Sequence, residues 1–174
     1  MSGNTIVDAG VASSDSPVAT EPSPERRARR ACLFMLGDRA YAVDVRDARE
    51  VVTLDGYTRV PGAPATVVGV FNLRGTVLPL VEARPLLGHA ATMPVAGTAA
   101  VVLAARSWRA AVAIDRVLGL DWFDDVSLAP GHGPFAMGAF AHADGDTITL
   151  LDADRLRAAL REAWTSPPFD TSEV

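Results

Sequence analysis

The chain has 174 residues, 49% of them hydrophobic, which is enough apolar side chain for one domain with a proper core or two small subdomains sharing an interface. All 16 basic residues are arginine, which excludes Schiff-base chemistry and the lysine of a phosphate-binding loop. The net charge of −5 is modest and spread along the sequence, and it argues against a nucleic-acid surface.

Residues 1 to about 30 are rich in Ser, Ala, Asp and Pro and are expected to form a disordered tail, because they bury too little apolar surface to offset chain entropy. They show no charged stretch followed by an apolar one, so no secretory signal is read there. The run ERRARR, Glu25 to Arg30, is taken as a solvated lead-in to the first strand rather than a patch for acidic lipid or nucleic acid. Cys32 to Leu36 and Tyr41 to Val45, around Gly37-Asp38, predict a first hairpin. Cys32 reads as a small buried hydrophobe, and as the single cysteine it has no internal disulfide partner, which favours the cytoplasm. Arg46 to Glu50 is expected to form a short turn of helix before a strand from Val51 to Leu54, and Val60 to Pro64 (VPGAP) a rigid extended corner.

The stretch Val67 to Leu80, VVGVFNLRGTVLPL, sets one polar tip, Asn72-Leu73-Arg74-Gly75, between two apolar runs of strand type. Gly75 supplies the left-handed conformation that reverses the chain, which puts Arg74 at the corner of a hairpin. An Arg held there either pairs with a carboxylate of the protein or faces a partner. Pro79 cannot donate to a ladder, so its strand is expected at an edge or bulged near its end. Glu82 to Leu87 suggests a short helix closed by Gly88. Ala99 to Ala104 and Arg109 to Ile114 flank a turn at Arg106 to Trp108, and Asp115 to Leu120 follows. Ala99 to Ala105 is the longest apolar run and is far too short to cross a bilayer, so no direct membrane insertion is expected. Asp152 to Trp164 is predicted to be a helix with Leu156, Leu160, Ala163 and Trp164 on one face, capping the barrels, and a second tail runs from Thr165.

The second half repeats the first. YAVDVRDAREVV from Tyr41 parallels AAVAIDRVLGL from Ala110, and GVFNLRGTVLPLVEARPLL from Gly69 parallels GAFAHADGDTITLLDADRL from Gly138. The second tip, Ala141 to Gly145, has no Arg, so Arg74 is not a folding requirement of the unit.

Catalytic constellations are weak. His89, His132 and His142 fall in loops or at tips without metal-ligand spacing, and are read as exposed bystanders. Asp121, Asp124 and Asp125 around Trp122 and Phe123 are read as a solvated loop after a strand. Asp144-Gly145-Asp146 is turn chemistry and lacks the remaining ligands of a calcium loop. No enzyme, metal or cofactor is expected. A small β-protein of this kind works by presenting sheet edges and a groove to another protein; the alternative is a β-barrel sensor module that binds a small ligand between its subdomains.

Six segments in order carry a family pattern: Phe34 to Val45, Arg49 to Val52, Val60 to Pro64, Gly69 to Val81, Ala111 to Gly119 and Leu150 to Leu156. Together, over about residues 31 to 162, they resemble the chemotaxis coupling protein family, CheW. The chain departs from the usual pattern at Ala48, where a larger aliphatic is common, and at Val81-Glu82-Ala83. The resemblance implies a mainly β fold of two small SH3-like five-stranded barrels around a shared apolar groove, spanning residues 31–164 between tails at 1–30 and 165–174. It implies a non-enzymatic adaptor that joins the regulatory domain of a CheA-type histidine kinase to the cytoplasmic tips of chemoreceptors, at receptor arrays, with other CheW-like domains as further ring partners. It also implies a partner-binding set of Glu50, Val51, Asn72, Leu73, Arg74 and Gly75. Within that set Glu50 and Arg74 are expected to form an ion pair beside a groove lined by Val51 and Leu73.

Overall fold

Three apolar runs have no polar alternation: Ala31 to Leu36, Ala99 to Ala104 and Ala110 to Ile114. Strands of that kind need cover on both faces. The computed structural model, which describes residues 28–105, 108–124, 128–142 and 144–165, provides it by packing two five-stranded sheets together. The first half contributes β1 (Ala28–Leu36), β2 (Arg39–Asp44), β3 (Ala48–Thr53), β4 (Val67–Leu73), β5 (Thr76–Val81) and a 3₁₀ turn, Pro85–Leu87. The second contributes β6 (Ala99–Ala105), β7 (Trp108–Ile114), β8 (Arg116–Asp124), β9 (Ala136–Ala141), β10 (Thr147–Leu151) and the helix α1 (Ala153–Thr165).

One sheet has the order β8-β1-β2-β10-β9 and the other β3-β6-β7-β5-β4. They are one construction made twice. The repeat read in the sequence reappears in the pairing once a small insertion near the second tip is allowed: Leu80 pairs Ala111 in one sheet where Leu150 pairs Ala42 in the other. The hairpins are exchanged, however. β1 and β2 complete the sheet of β8, β9 and β10, while β6 and β7 complete that of β3, β4 and β5.

This exchange explains the unbroken apolar runs. Along β1, Ala31 and Leu33 enter the core of their own sheet with Ala42, Ile148 and Leu150, while Cys32, Phe34 and Leu36 enter the core between the sheets. Along β6, Ala100 and Val102 face their own sheet's core, and Val101 and Leu103 face the shared one. Helix α1 starts on Asp152, whose Oδ1 accepts from the Arg155 N–H at 3.0 Å as an N-cap, and drives Leu156 and Leu160 into the shared core. The side chain of Trp164 lies outside the described residues.

The corners after β2 and β7 are pinned by carboxylates. Asp44 is buried, accepts from the Arg46 N–H at 2.7 Å and pairs with Arg29 and Arg46. Asp115 accepts from the Gly37 N–H at 2.7 Å and pairs with Arg84, whose Nη1 lies 2.7 Å from Glu82.

In each half the chain beyond one edge strand makes a single bridge to the other edge strand. After β3 the chain returns to bridge Thr58 to Val70 of β4, with N–H to carbonyl distances of 2.8 Å both ways. After β8, Ala129 bridges Ala139 of β9 at 2.9 and 2.8 Å. Both bridges press on a glycine. A Cβ at Gly69 would stand 2.3 Å from the Thr58 carbonyl oxygen, and one at Gly138 would stand 2.8 Å from Leu128 Cβ.

Several expectations are corrected. Arg46 to Glu50 contains no helix: residues 45–47 form a turn and β3 begins at Ala48, because β3 is held by pairing with the distant β6. Pro79 is not on an edge strand. β5 lies between β7 and β4; the irregularity expected near its end is present in the β4 ladder, where the register shifts between Val67 and Gly69 opposite Val81 and Leu80, and its ladder to β7 starts at Leu80, one residue past the missing donor. Asp121 and Asp124 belong to β8 rather than to a loop, and Asp125 lies outside the described residues. β1 begins at Ala28, so Arg29 and Arg30 of the basic run are strand residues, while Glu25 to Arg27, the rest of the N-terminal stretch, residues 106–107 of the expected turn and the closing residues 166–174 lie outside the described residues.

Gly69→Ala is expected to destabilise the fold by about 2–3 kcal/mol through overpacking at the bridge. Gly56→Ala, whose Cβ would meet nothing within 4 Å, is the control and should stay close to wild type. Urea unfolding of both variants checks this, and equal midpoints would refute the close-approach account.

Candidate functional site

The β4–β5 hairpin pairs Leu73 with Thr76, which leaves Arg74 and Gly75 as a two-residue loop. Both take left-handed backbone, φ 50° and 87°, as a type I′ turn requires. Arg74 is the one residue other than glycine with positive φ among the described residues. That conformation costs an Arg about 1 kcal/mol or more, and Asn, Asp or Gly would fill the position more cheaply. The Asn72 carboxamide oxygen accepts from the Gly75 N–H at 2.7 Å and holds the turn.

The guanidinium reaches Glu50 on β3. Nη2 lies 2.9 Å from Oε2 and Nη1 lies 3.4 Å from Oε1, a two-pronged pair. The contact spans the opposite edges of one sheet and exists because the Thr58–Val70 bridge brings those edges together. The Arg74 side chain is 77% exposed, so the pair contributes at most about 1 kcal/mol to stability. An exposed pair of that size does not offset the strain with any margin.

Glu50 also lines a cleft of about 310 Å³ between the two outer strands β3 and β8, together with Arg30, Cys32, Val45, Val51 and Leu120. Val51 is 42% exposed, Leu120 54% and Trp122 61%. Leu120 and Trp122 share one face of β8, and the Arg30 guanidinium stands 5.5 Å from the Trp122 ring centroid. The structure thus joins Glu50, Val51 and Arg74 of the expected set. Asn72 and Gly75 shape the turn, and Leu73 packs against the core of its own sheet. Leu120, Trp122 and Arg30 were missed. Their signal was the alternation of Leu118, Leu120 and Trp122, which the neighbouring aspartates masked as a loop.

The second half carries a parallel clasp. Asp121 on β8 accepts from the His142 Nδ1–H at 2.7 Å and from the Trp122 N–H at 2.7 Å, and His142 Nε2 lies 3.7 Å from Asp144. So His142 is no bystander. His89 is not one either, since its Nε2 shares a 2.7 Å hydrogen bond with the Tyr41 hydroxyl. The hydrogen bond from His142, reinforced by the Trp122 N–H, holds the Asp121 carboxyl below its usual range. The same hydrogen bond raises the His142 imidazole above 6.5, helped by the charges of Asp121, Asp144 and Asp146. Among the described residues no group of three or more His, Cys, Asp or Glu side chains is placed to hold a metal ion.

The clasp follows from these directions. Because the folded-state imidazole titrates above 6.5, its contribution is complete below that value and is lost as pH rises through the raised folded-state value. An NMR titration should find His142 titrating above 6.5 and Asp121→Asn bringing it back down. An unchanged His142 in that variant would contradict the assignment.

A family model described as the CheW-like domain matches residues 30–160. A chemotaxis protein CheW from Rhizobium meliloti is 31% identical over 133 residues, covering 72% of this chain and 85% of that protein. One from Helicobacter pylori is 49% identical over 55 residues, and the match spans only a third of that protein's length, 33%. Among solved structures, the scaffolding protein TtCheW from Thermoanaerobacter tengcongensis superposes with a TM-score of 0.62 at 22% identity, over 71% of this chain and 88% of that one, which supports the fold.

Proposed function

We propose that this chain, which belongs to the CheW-like domain family, is a non-catalytic adaptor of chemotaxis-type signalling that couples chemoreceptor tips to the regulatory domain of a CheA-type histidine kinase. Proteins of this family are scaffolds rather than enzymes. The observation that carries the coupling role is the strained, exposed Arg74 clasped to Glu50 at the mouth of the β3–β8 cleft. An amphipathic helix, such as one arm of a receptor's helical hairpin, needs an apolar trough with charge at its rim. Val51 and Leu120 supply the trough, extended along β8 by exposed Trp122, and Glu50 and Arg30 supply the rim, with Arg74 held to it through Glu50. None of the described helices is long and apolar enough to cross a membrane. In this proposal the adaptor works in the cytoplasm at receptor arrays, with other CheW-like domains as ring partners. The small-ligand sensor is not favoured, because the chain's family is one of scaffolds.

Arg74→Glu should fold with a melting temperature close to wild type and keep its complex with the kinase regulatory domain in size-exclusion chromatography. Receptor-dependent kinase activation should fall at least about tenfold, the equivalent of about 1.4 kcal/mol of lost contact. Leu120→Asp, on the apolar floor, should behave likewise. Undiminished activation in both folded variants would remove this cleft from the receptor contact, and no complex of the wild-type protein with the kinase domain at high micromolar concentrations would remove the adaptor reading itself.

A further inference from the structure

A second cleft, of about 420 Å³, lies between the start of β8 and the loop 92–98. In that loop Pro94 is buried, while its neighbours Met93 and Val95 stand out, 51% and 66% exposed. Val117 lines the same cleft from β8 and is 40% exposed. The charged groups here are Arg84, Asp115 and Arg116. Arg84 and Asp115 are engaged with each other, and Asp115 also accepts from the Gly37 N–H. Arg116 is exposed and makes no ion pair among the described residues.

A bulge brings this cleft into line with the first. Leu120 pairs Cys32 and Val117 pairs Phe34, partners two residues apart on β1 but three apart on β8, because Leu118 stands opposite no residue of β1. Gly119 takes φ 138°, a conformation that suits glycine, and so lets the strand carry the extra residue. Partners across a ladder share a face, and Cys32 and Phe34 both point into the core between the sheets. The bulge therefore returns Val117 to the face that carries Leu120 and Trp122, where strict alternation would have turned it away. We propose, resting on the receptor reading of the β3–β8 cleft, that the receptor helix in that cleft runs on along β8 into this second one. There it sets aliphatic side chains on Val117, Val95 and Met93 and an acidic one on Arg116. Arg116 is the cation left open at this end, and a guanidinium takes a carboxylate by two parallel hydrogen bonds. Trp122 and Val117 are separated by about 16 Å of strand. A helix covers that length in about 11 residues, or about three turns. The partner is thus a helix with an apolar stripe of that length, closed at the Arg116 end by Asp or Glu.

The test is calorimetric titration of the full chain with the purified cytoplasmic hairpin of a cognate receptor, at low and at high salt. Arg116→Glu and Val95→Asp should each weaken binding about tenfold, and Arg116→Gln should weaken it less and flatten its dependence on salt. All three variants should melt like the wild type, because both side chains are exposed. Leu120→Asp, on the floor of the first cleft, reports separately on the receptor reading. If Leu120→Asp binds poorly while either Arg116→Glu or Val95→Asp binds like the wild type, the helix ends short of this cleft and the extension is overturned. If Leu120→Asp also binds like the wild type, or the wild type does not bind, the receptor reading falls and takes the extension with it.

Discussion

Four strands, β1, β2, β6 and β7, are covered by apolar side chains on both faces, and the rest of the molecule is arranged to supply that cover. One face of each meets its own sheet's core and the other meets the sheet of the opposite half. The exchange of hairpins between the halves is the arrangement that satisfies both faces at once. It leaves β3 and β8 at sheet edges, each paired on one side only, and there Val51, Leu120 and Trp122 are exposed without weakening either core.

The two halves then diverge where they meet solvent. Each ties a carboxylate on its outer strand to a cation at its hairpin tip, Glu50 to Arg74 in one and Asp121 to His142 in the other. The first uses a permanently charged group held in a strained turn, and the second a titratable one in a longer loop closed by Gly145. The same sheet construction carries both clasps, and the choice of cation makes only the second lose its charge as pH rises from neutral.

Much of the fold is legible in local sequence. The turns at Gly37-Asp38 and Arg74-Gly75, the apolar runs of β6 and β7, and the face of α1 with Leu156 and Leu160 are all set by neighbours in the chain. What escaped was set by distant partners. The start of β3, Ala48 to Glu50, reads as a turn of helix until β6 lies beside it, Pro79 reads as an edge or a bulge until the ladder is seen to begin at Leu80, and the acids of β8 read as a loop because they alternate with its exposed apolar residues. Which hairpin completes which sheet is invisible locally, since both copies carry the same pattern. The Glu50–Arg74 pair was legible only through family resemblance, and the left-handed backbone of Arg74 only in the structure, because type I′ turns ordinarily announce themselves with Asn or Asp.

The exchanged hairpins also impose an order of assembly. β3 to β7 are contiguous in the chain and can close their sheet as soon as β7 has left the ribosome. β1 and β2, though made first, have no sheet to join until β8 and β10 emerge at the far end of the sequence, as the pairing of Ala28 with Asp124 shows. β1 and β2 therefore pair with strands far along the chain, and until that pairing forms their doubly apolar faces have no sheet of their own to cover them.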